Sequence, residues 1–386
     1  MQYLSRNNSP EGAGWVLVHS LFREWRISAM SVGVMNGLKD IKSRISSTCS
    51  PTIDELLRSF MMVFILRPSA LLLPRDIALA IARWCGSVML RIPSSGKSAL
   101  RMTQKAFQKV DAEARRSAEE YLAQPFCSFV VFERILHNRE NLNDWKVEEK
   151  NAEAVAALRE SGRPFILAGG HFRRDSFIAI YMRRFSPGSV ATVSLPVPRR
   201  SFRPSSIRMR IQFGQLLKVI QHTRPENKFV YVGGASTVRE ILKHLEAPGH
   251  ELLIAIDAFW KTGGWSAHLR PFAGMRCRPF SVGSAALSRL ARCPIVTFAS
   301  YIAKDGTIVL EWGPVIPAPE YSDEAADRSN ANIILDFLEN EIGLRPSQYT
   351  LYIGEERRWN PDLQIWEDPD REELRSLETT AGIRTC

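Results

Sequence analysis

The chain has 386 residues, enough for one large domain with appendages or two modest ones. Hydrophobic residues make up 45% and charged residues 24%, which excludes global disorder, while a formal charge of +10 points to an anionic partner such as an acidic membrane surface, nucleic acid or a phosphorylated substrate. The six cysteines form no CxxC pair and no metal-like spacing, which excludes a disulfide framework and reads as reduced packing thiols.

Residues 1–50 are rich in Ser, Asn and Gly with broken hydrophobicity, and read as a variable, poorly ordered extension. No basic start leads into a long apolar core there, so a secretory signal is not expected. Residues 51–95 then carry two apolar stretches, Phe60 to Leu66 with Leu71–Leu73, and Asp76 to Leu90. Arg67, Pro68, Pro74 and Arg83 interrupt them, so neither is a clean membrane span. They fit buried helices, or an interfacial anchor with arginines at headgroup level.

Ala99 to Leu122 reads as a long amphipathic helix, Phe129 to His137 as a second, and Asn151 to Glu160 as a third, stopped by Ser161-Gly162. Thereafter strands and helices alternate. Strands are expected at Pro164–Ala168, Ser189–Leu195, Phe229–Val232, Leu252–Asp257, Ile295–Ser300 and Ile308–Trp312. Helices are expected between them at Ser176–Phe185, Ser205–Ile220, Ser236–Leu245 and Gly283–Leu290, with a last one at Asp327–Ile342. This is the pattern of an α/β fold, a central mostly parallel sheet flanked by helices, over residues 96–358. Residues 359–386 read as a polar surface tail.

The chemistry gathers after the first strand of this series, where Ala168-Gly169-Gly170-His171-Phe172-Arg173-Arg174-Asp175-Ser176 follows an apolar run. The glycines permit a sharp bend and leave room for another molecule. His171 with a nearby carboxylate, Asp175, is a candidate general base; a helix start whose acid favours the dipole is the plainer reading. Asp257 ends another apolar run, on the rim of the sheet where ligands collect, and is a second candidate beside its reading as a strand-end turn residue. Between Asp175 and Glu226 there is no acidic residue, while Arg183, Arg184, Arg199, Arg200, Arg203, Arg208, Arg210, Lys218 and Arg224 occur. So one-sided a stretch suits phosphates or carboxylates. Nucleic acid is the weaker partner, since no zinc pattern, RNP-like motif or helix-turn-helix signature accompanies the charge.

Gly170-His171-Phe172 after an apolar strand resembles the His motif of the lysophospholipid acyltransferase-like superfamily. The resemblance is nearest to the late lipid A (lauroyl/myristoyl) acyltransferases and the phosphatidylinositol mannoside acyltransferases. Further pieces agree in order: Arg208-Met209-Arg210, Ile256-Asp257, Pro271-Phe272-Ala273-Gly274, a small-residue helix, Asp305-Gly306, Pro346-Ser347-Gln348-Tyr349 and Arg357-Arg358-Trp359. The resemblance spans about residues 60 to 360 and implies acyl transfer without a metal or redox cofactor. His171 would be the general base and an acyl thioester, of acyl carrier protein or coenzyme A, the donor. The hydroxyl of a lipid or glycolipid would be the acceptor, at the cytoplasmic face of the inner membrane.

One departure stands out. The family places its acid five residues after the histidine, where this chain has Ser176; Asp175 stands one residue earlier. One position on a helix is about a 100° rotation. Three readings are open: Asp175 acts through an altered loop, Asp257 or another acid takes the role, or the protein binds lipid or acyl carrier without turnover. Arg174, Ser176, Arg208, Arg210 and Asp257 are the candidate substrate-binding residues, Arg208 as anchor. An acyltransferase for a soluble natural product is the other alternative.

Overall fold

The computed structural model describes residues 51–92, 95–96, 99–100, 103–104, 111–172, 180–194, 204–232, 236–257, 267–273, 275–303, 305–319, 324–349, 358–360 and 365–367. The extension at 1–50 and most of the polar tail lie outside them.

An N-terminal helical layer comes first. It comprises α1 (Pro51–Phe60), a π-helical stretch Met61–Leu66, α2 (Arg67–Leu72), α3 (Arg75–Arg91) and α4 (Asp111–Leu136). Its core is Met62, Leu66, Ala70, Ala78, Ala82, Cys85 and Met89 against Ala118, Leu122, Phe126 and Val130. Small residues set the distance between α3 and α4: a Cβ on Gly86 would lie 2.6 Å from Ala123. No helix among the described residues is long and apolar enough to cross a membrane. The expectation of separate helices at 99–122 and 129–137 is corrected here, because α4 runs unbroken through Pro125. The proline forfeits one backbone hydrogen bond, but Leu122, Ala123, Gln124 and Phe126 beside it are all buried, and that packing holds the helix together.

The rest is the expected α/β unit. Its elements are β1 (Val147–Lys150), α5 (Glu153–Glu160), β2 (Phe165–Gly169), β3 (Val190–Ser194), α6 (Pro204–Thr223), β4 (Lys228–Tyr231), α7 (Thr237–Leu245) and β5 (Glu251–Ala255). A hairpin of β6 (Ala267–Phe272) and β7 (Met275–Ser281) follows, then α8 (Gly283–Ala291), β8 (Ile295–Ile302), β9 (Ile308–Ile316) and α9 (Glu324–Leu344). The seven-stranded sheet has the order β1-β9-β8-β2-β5-β3-β4, and only the β8–β9 pairing is antiparallel.

β2 is buried along its whole length and alternates between two cores. Phe165 and Leu167 face the layer containing α4, α5 and α6; Ile166 and Ala168 face that of α7, α8 and α9. Both faces are covered, which is why β2 and β5 read as continuous apolar runs. Cys85 and Cys293 are free and buried, and burial pushes both thiols up to about 12, as packing residues require.

Two elements have no forerunner in the sequence reading. β1 is a polar edge strand (Val-Glu-Glu-Lys) with no apolar run to announce it. The β6–β7 hairpin turns at Ala273, which holds a φ of 48°. At and just beyond the start of the stretch read as a polar surface tail, Arg358–Asn360 (β10) and Ile365–Glu367 (β11) pair as an antiparallel ribbon.

The glycines ahead of His171 also have a different reason from the one expected. A Cβ on Gly169 would lie 2.6 Å from the Phe298 ring, and one on Gly170 would lie 3.2 Å from both Asp257 and Tyr349 and 3.3 Å from Leu338. The space they leave is filled by the protein's own side chains. Gly169→Ala is therefore expected to cost about 1–3 kcal/mol of stability by overpacking against β8. Chemical denaturation would read it, and an unchanged midpoint would refute the close packing.

Candidate active site

β2 and β5 are adjacent parallel strands in the register Gly169↔Ala255. Continued two residues beyond the strands, that register sets His171 opposite Asp257, and Ile256 N–H donating to the Gly169 carbonyl at 3.0 Å keeps the chains together past the rim. Two residues far apart in sequence meet because two apolar runs end at the same height.

The contact has two points. Asp257 Oδ1 lies 2.6 Å from His171 Nδ1, and Asp257 Oδ2 accepts the His171 backbone N–H at 2.8 Å. Tyr349 donates its hydroxyl to the same Oδ2 at 2.5 Å. Asp257 is fully buried and His171 is 9% exposed. Burial by itself raises the Asp257 carboxyl; the His171 charge, its ring and backbone hydrogen bonds and the Tyr349 hydroxyl outweigh it and hold the acid below its ordinary value. An ionised carboxylate against Nδ1 favours the tautomer with the proton on Nδ1, which leaves the lone pair on Nε2.

Of the two roles considered for Asp257, at the substrate or as the acid of the histidine, its contacts fit the second. Both its oxygens are engaged by protein donors and none of its surface reaches solvent. Asp175, Arg174 and Ser176 lie outside the described residues. α6 returns antiparallel to β4, so its first turns, with Arg208 and Arg210, lie toward the strand ends from which His171 emerges. There Arg208 Nε pairs with Glu55 of α1 and its terminal nitrogen donates to Gln212 at 3.0 Å. The anchor expected for substrate is thus tied to the N-terminal helical layer. Arg58 sits beside it, with burial and then the Arg208 charge lowering its guanidinium from the ordinary value, and it donates to Ser95 at 3.0 Å. Arg210 is half-buried. Among the described residues no group of His, Cys, Asp or Glu is arranged to hold a metal ion.

Tyr349 is the residue that the spacing near His171 could not reveal. It follows α9, far along the chain, and only the Pro346–Tyr349 motif marks it.

No protein-family model matches the chain, and no curated protein matches it in sequence. Among solved structures, the crystal structure of the 1-acyl-sn-glycerophosphate (LPA) acyltransferase PlsC from Thermotoga maritima is similar over 70% of this chain and 98% of that one, at 12% sequence identity and a TM-score of 0.33. Likeness at that level leaves the chemistry to be argued from His171, Asp257 and their surroundings.

Proposed function

We propose that the chain is an acyltransferase that moves a fatty acyl group from a thioester to the hydroxyl of a lipid or glycolipid acceptor. The observation that carries this reading is the His171–Asp257 pair at the carboxyl rim of a mostly parallel sheet. The motif order of the late lipid A acyltransferases, which the sequence resembles, supports it.

In the proposed reaction His171 Nε2 takes the proton of the acceptor hydroxyl as its oxygen attacks the thioester carbonyl. Asp257 stabilises the imidazolium that forms. Collapse of the tetrahedral intermediate breaks the C–S bond, and the imidazolium returns its proton to the leaving thiolate. A soluble thioester donor is either acyl carrier protein or acyl-CoA. The test is release of free thiol from both, with membrane lipid extract as acceptor. Wild type is expected to turn over and His171→Ala to lose ~10²–10⁴-fold of that rate. Activity indifferent to His171→Ala would defeat the mechanism, and no release from any donor would leave a protein that binds without turnover.

The acceptor class draws on a second observation. Ile53, Leu56, Phe60 and Phe64, spaced by three and four, are 49%, 48%, 52% and 66% exposed, and Leu72 nearby is 78% exposed. Arg67 and Arg75, near this row in sequence, have half-exposed side chains that pair with Glu133 and Glu140. The row belongs to the helical layer that meets α6 through Glu55 and Arg208, toward the His171 end of the sheet. An anionic bilayer, at the cytoplasmic face of the inner membrane, fits an apolar row with arginines near it in sequence. Phe64→Glu is expected to weaken sedimentation with anionic vesicles by about tenfold without lowering the melting temperature. Vesicle binding that ignores Phe64 would remove this row from the reading.

A further inference from the structure

We propose that Tyr349 is a positioning residue for the His171–Asp257 pair, its hydroxyl setting how much negative charge Asp257 presents to the imidazole; this rests on the acyl-transfer reading only for its kinetic consequence. Three features carry the assignment. The first is how firmly Tyr349 is placed. The turn Pro346–Gln348 before it is clamped to β8, where Gln348 donates to the Ile302 carbonyl at 2.9 Å and accepts the Ile302 N–H at 3.1 Å. Gln124 of α4 donates to the Ser347 carbonyl at 2.5 Å. The backbone of Tyr349 bridges to Phe172, the residue next to His171, and the two rings meet edge-on at 5.0 Å.

The second feature is which oxygen the hydroxyl reaches. Tyr349 donates to Oδ2, the oxygen that also accepts the His171 backbone N–H, and leaves Oδ1 to the ring nitrogen. Both oxygens of the carboxylate are thereby engaged, Oδ2 twice, so the acid cannot turn away from Nδ1 without stranding a buried donor. The third is isolation. Asp257 has no exposed surface, and His171 and Tyr349 are the titratable groups whose hydrogen bonds hold its carboxyl down. With the acid wholly buried, a phenol on Oδ2 draws charge away from Oδ1 and weakens its pull on the imidazole.

Tyr349→Phe keeps the ring and removes only that donor. Oδ1 then carries more charge, the Nδ1–H···Oδ1 bond strengthens, and the protonated imidazole is favoured. In the folded variant the hydrogen-bonded Nδ1 proton, assigned by its loss in His171→Ala, is expected to move downfield in proton NMR. Replacing all tyrosines by 3-fluorotyrosine, a stronger donor, is expected to move it upfield without altering the fold, and answers the question should Tyr349→Phe not fold. In turnover, the acid limb of the pH profile is expected to move to higher pH, so that kcat falls about tenfold on that limb with KM for the thioester unchanged. A resonance unmoved by both replacements would overturn the assignment and leave Tyr349 a packing residue. A resonance that moves in a protein without thioester turnover would uphold the positioning and refute acyl transfer instead.

Discussion

Asp257→Asn is expected to lower thioester turnover as deeply as His171→Ala, by ~10²–10⁴-fold, in a protein that remains folded. The reason lies in how the donors around the side chain would sort an amide. Oδ2 accepts from the His171 backbone N–H and from the Tyr349 hydroxyl, so the asparagine carbonyl oxygen must occupy that place. The amide nitrogen is then left where Oδ1 meets Nδ1, 2.6 Å away in the native pair, and it can only donate. A donor there forces the ring proton onto Nε2, which removes the lone pair that would accept the acceptor's proton. Geometry survives while the tautomer is wrong. The decisive comparison is Asp175→Asn, the acid nearer in sequence. Turnover that survives Asp175→Asn and collapses in Asp257→Asn assigns the orienting role to β5. The reverse result would return it to the segment after His171 and sink the pairing as a catalytic device.

The same pair illustrates what a sequence can and cannot disclose about a site. His171 and Asp257 are each visible as a polar residue at the end of an apolar run, and the alternation of strands and helices is enough to put both on one rim. Their contact depends on β2 and β5 being neighbours in the register Gly169↔Ala255, although β3 and β4 intervene in sequence. Nothing local encodes that adjacency; it follows from how the helices are shared between the two faces of the sheet. Spacing arguments instead favoured Asp175, because four residues is within reach of any turn. Tyr349 is harder still, since the Pro346–Tyr349 motif marks its place in the chain but nothing in it points to Asp257. The glycines were legible as a close approach, but the partner was not: Phe298, Asp257 and Tyr349 occupy the room they leave. The break expected between residues 122 and 129 is absent, since the buried side chains around Pro125 outweigh its local cost.

The other end of β5 should show itself in stability. Glu251 is wholly buried, and burial raises its carboxyl to about 8, against the partial opposition of the Tyr181 and Ser186 hydroxyls and the Arg159 and Arg224 charges. In the unfolded chain the same group has an ordinary value near 4.5. Below that pH both states are protonated and Glu251 costs nothing. As pH rises, the unfolded chain releases a proton that the folded chain retains, so stability falls until the folded group also ionises near pH 8, and is flat beyond. Glu251→Gln keeps the shape of the neutral acid and cannot ionise, so it is spared this loss. It is expected to be more stable than wild type at pH 8 by on the order of a few kcal/mol, read as a higher melting temperature, and the advantage should shrink steadily toward pH 5. A difference in melting temperature that does not change between those pH values would show that Glu251 is not held neutral in the fold. Because Glu251 and Asp257 close opposite ends of one strand, the comparison also separates two uses of a buried acid. One is kept charged by donors to serve a histidine, and the other is kept neutral for want of enough of them.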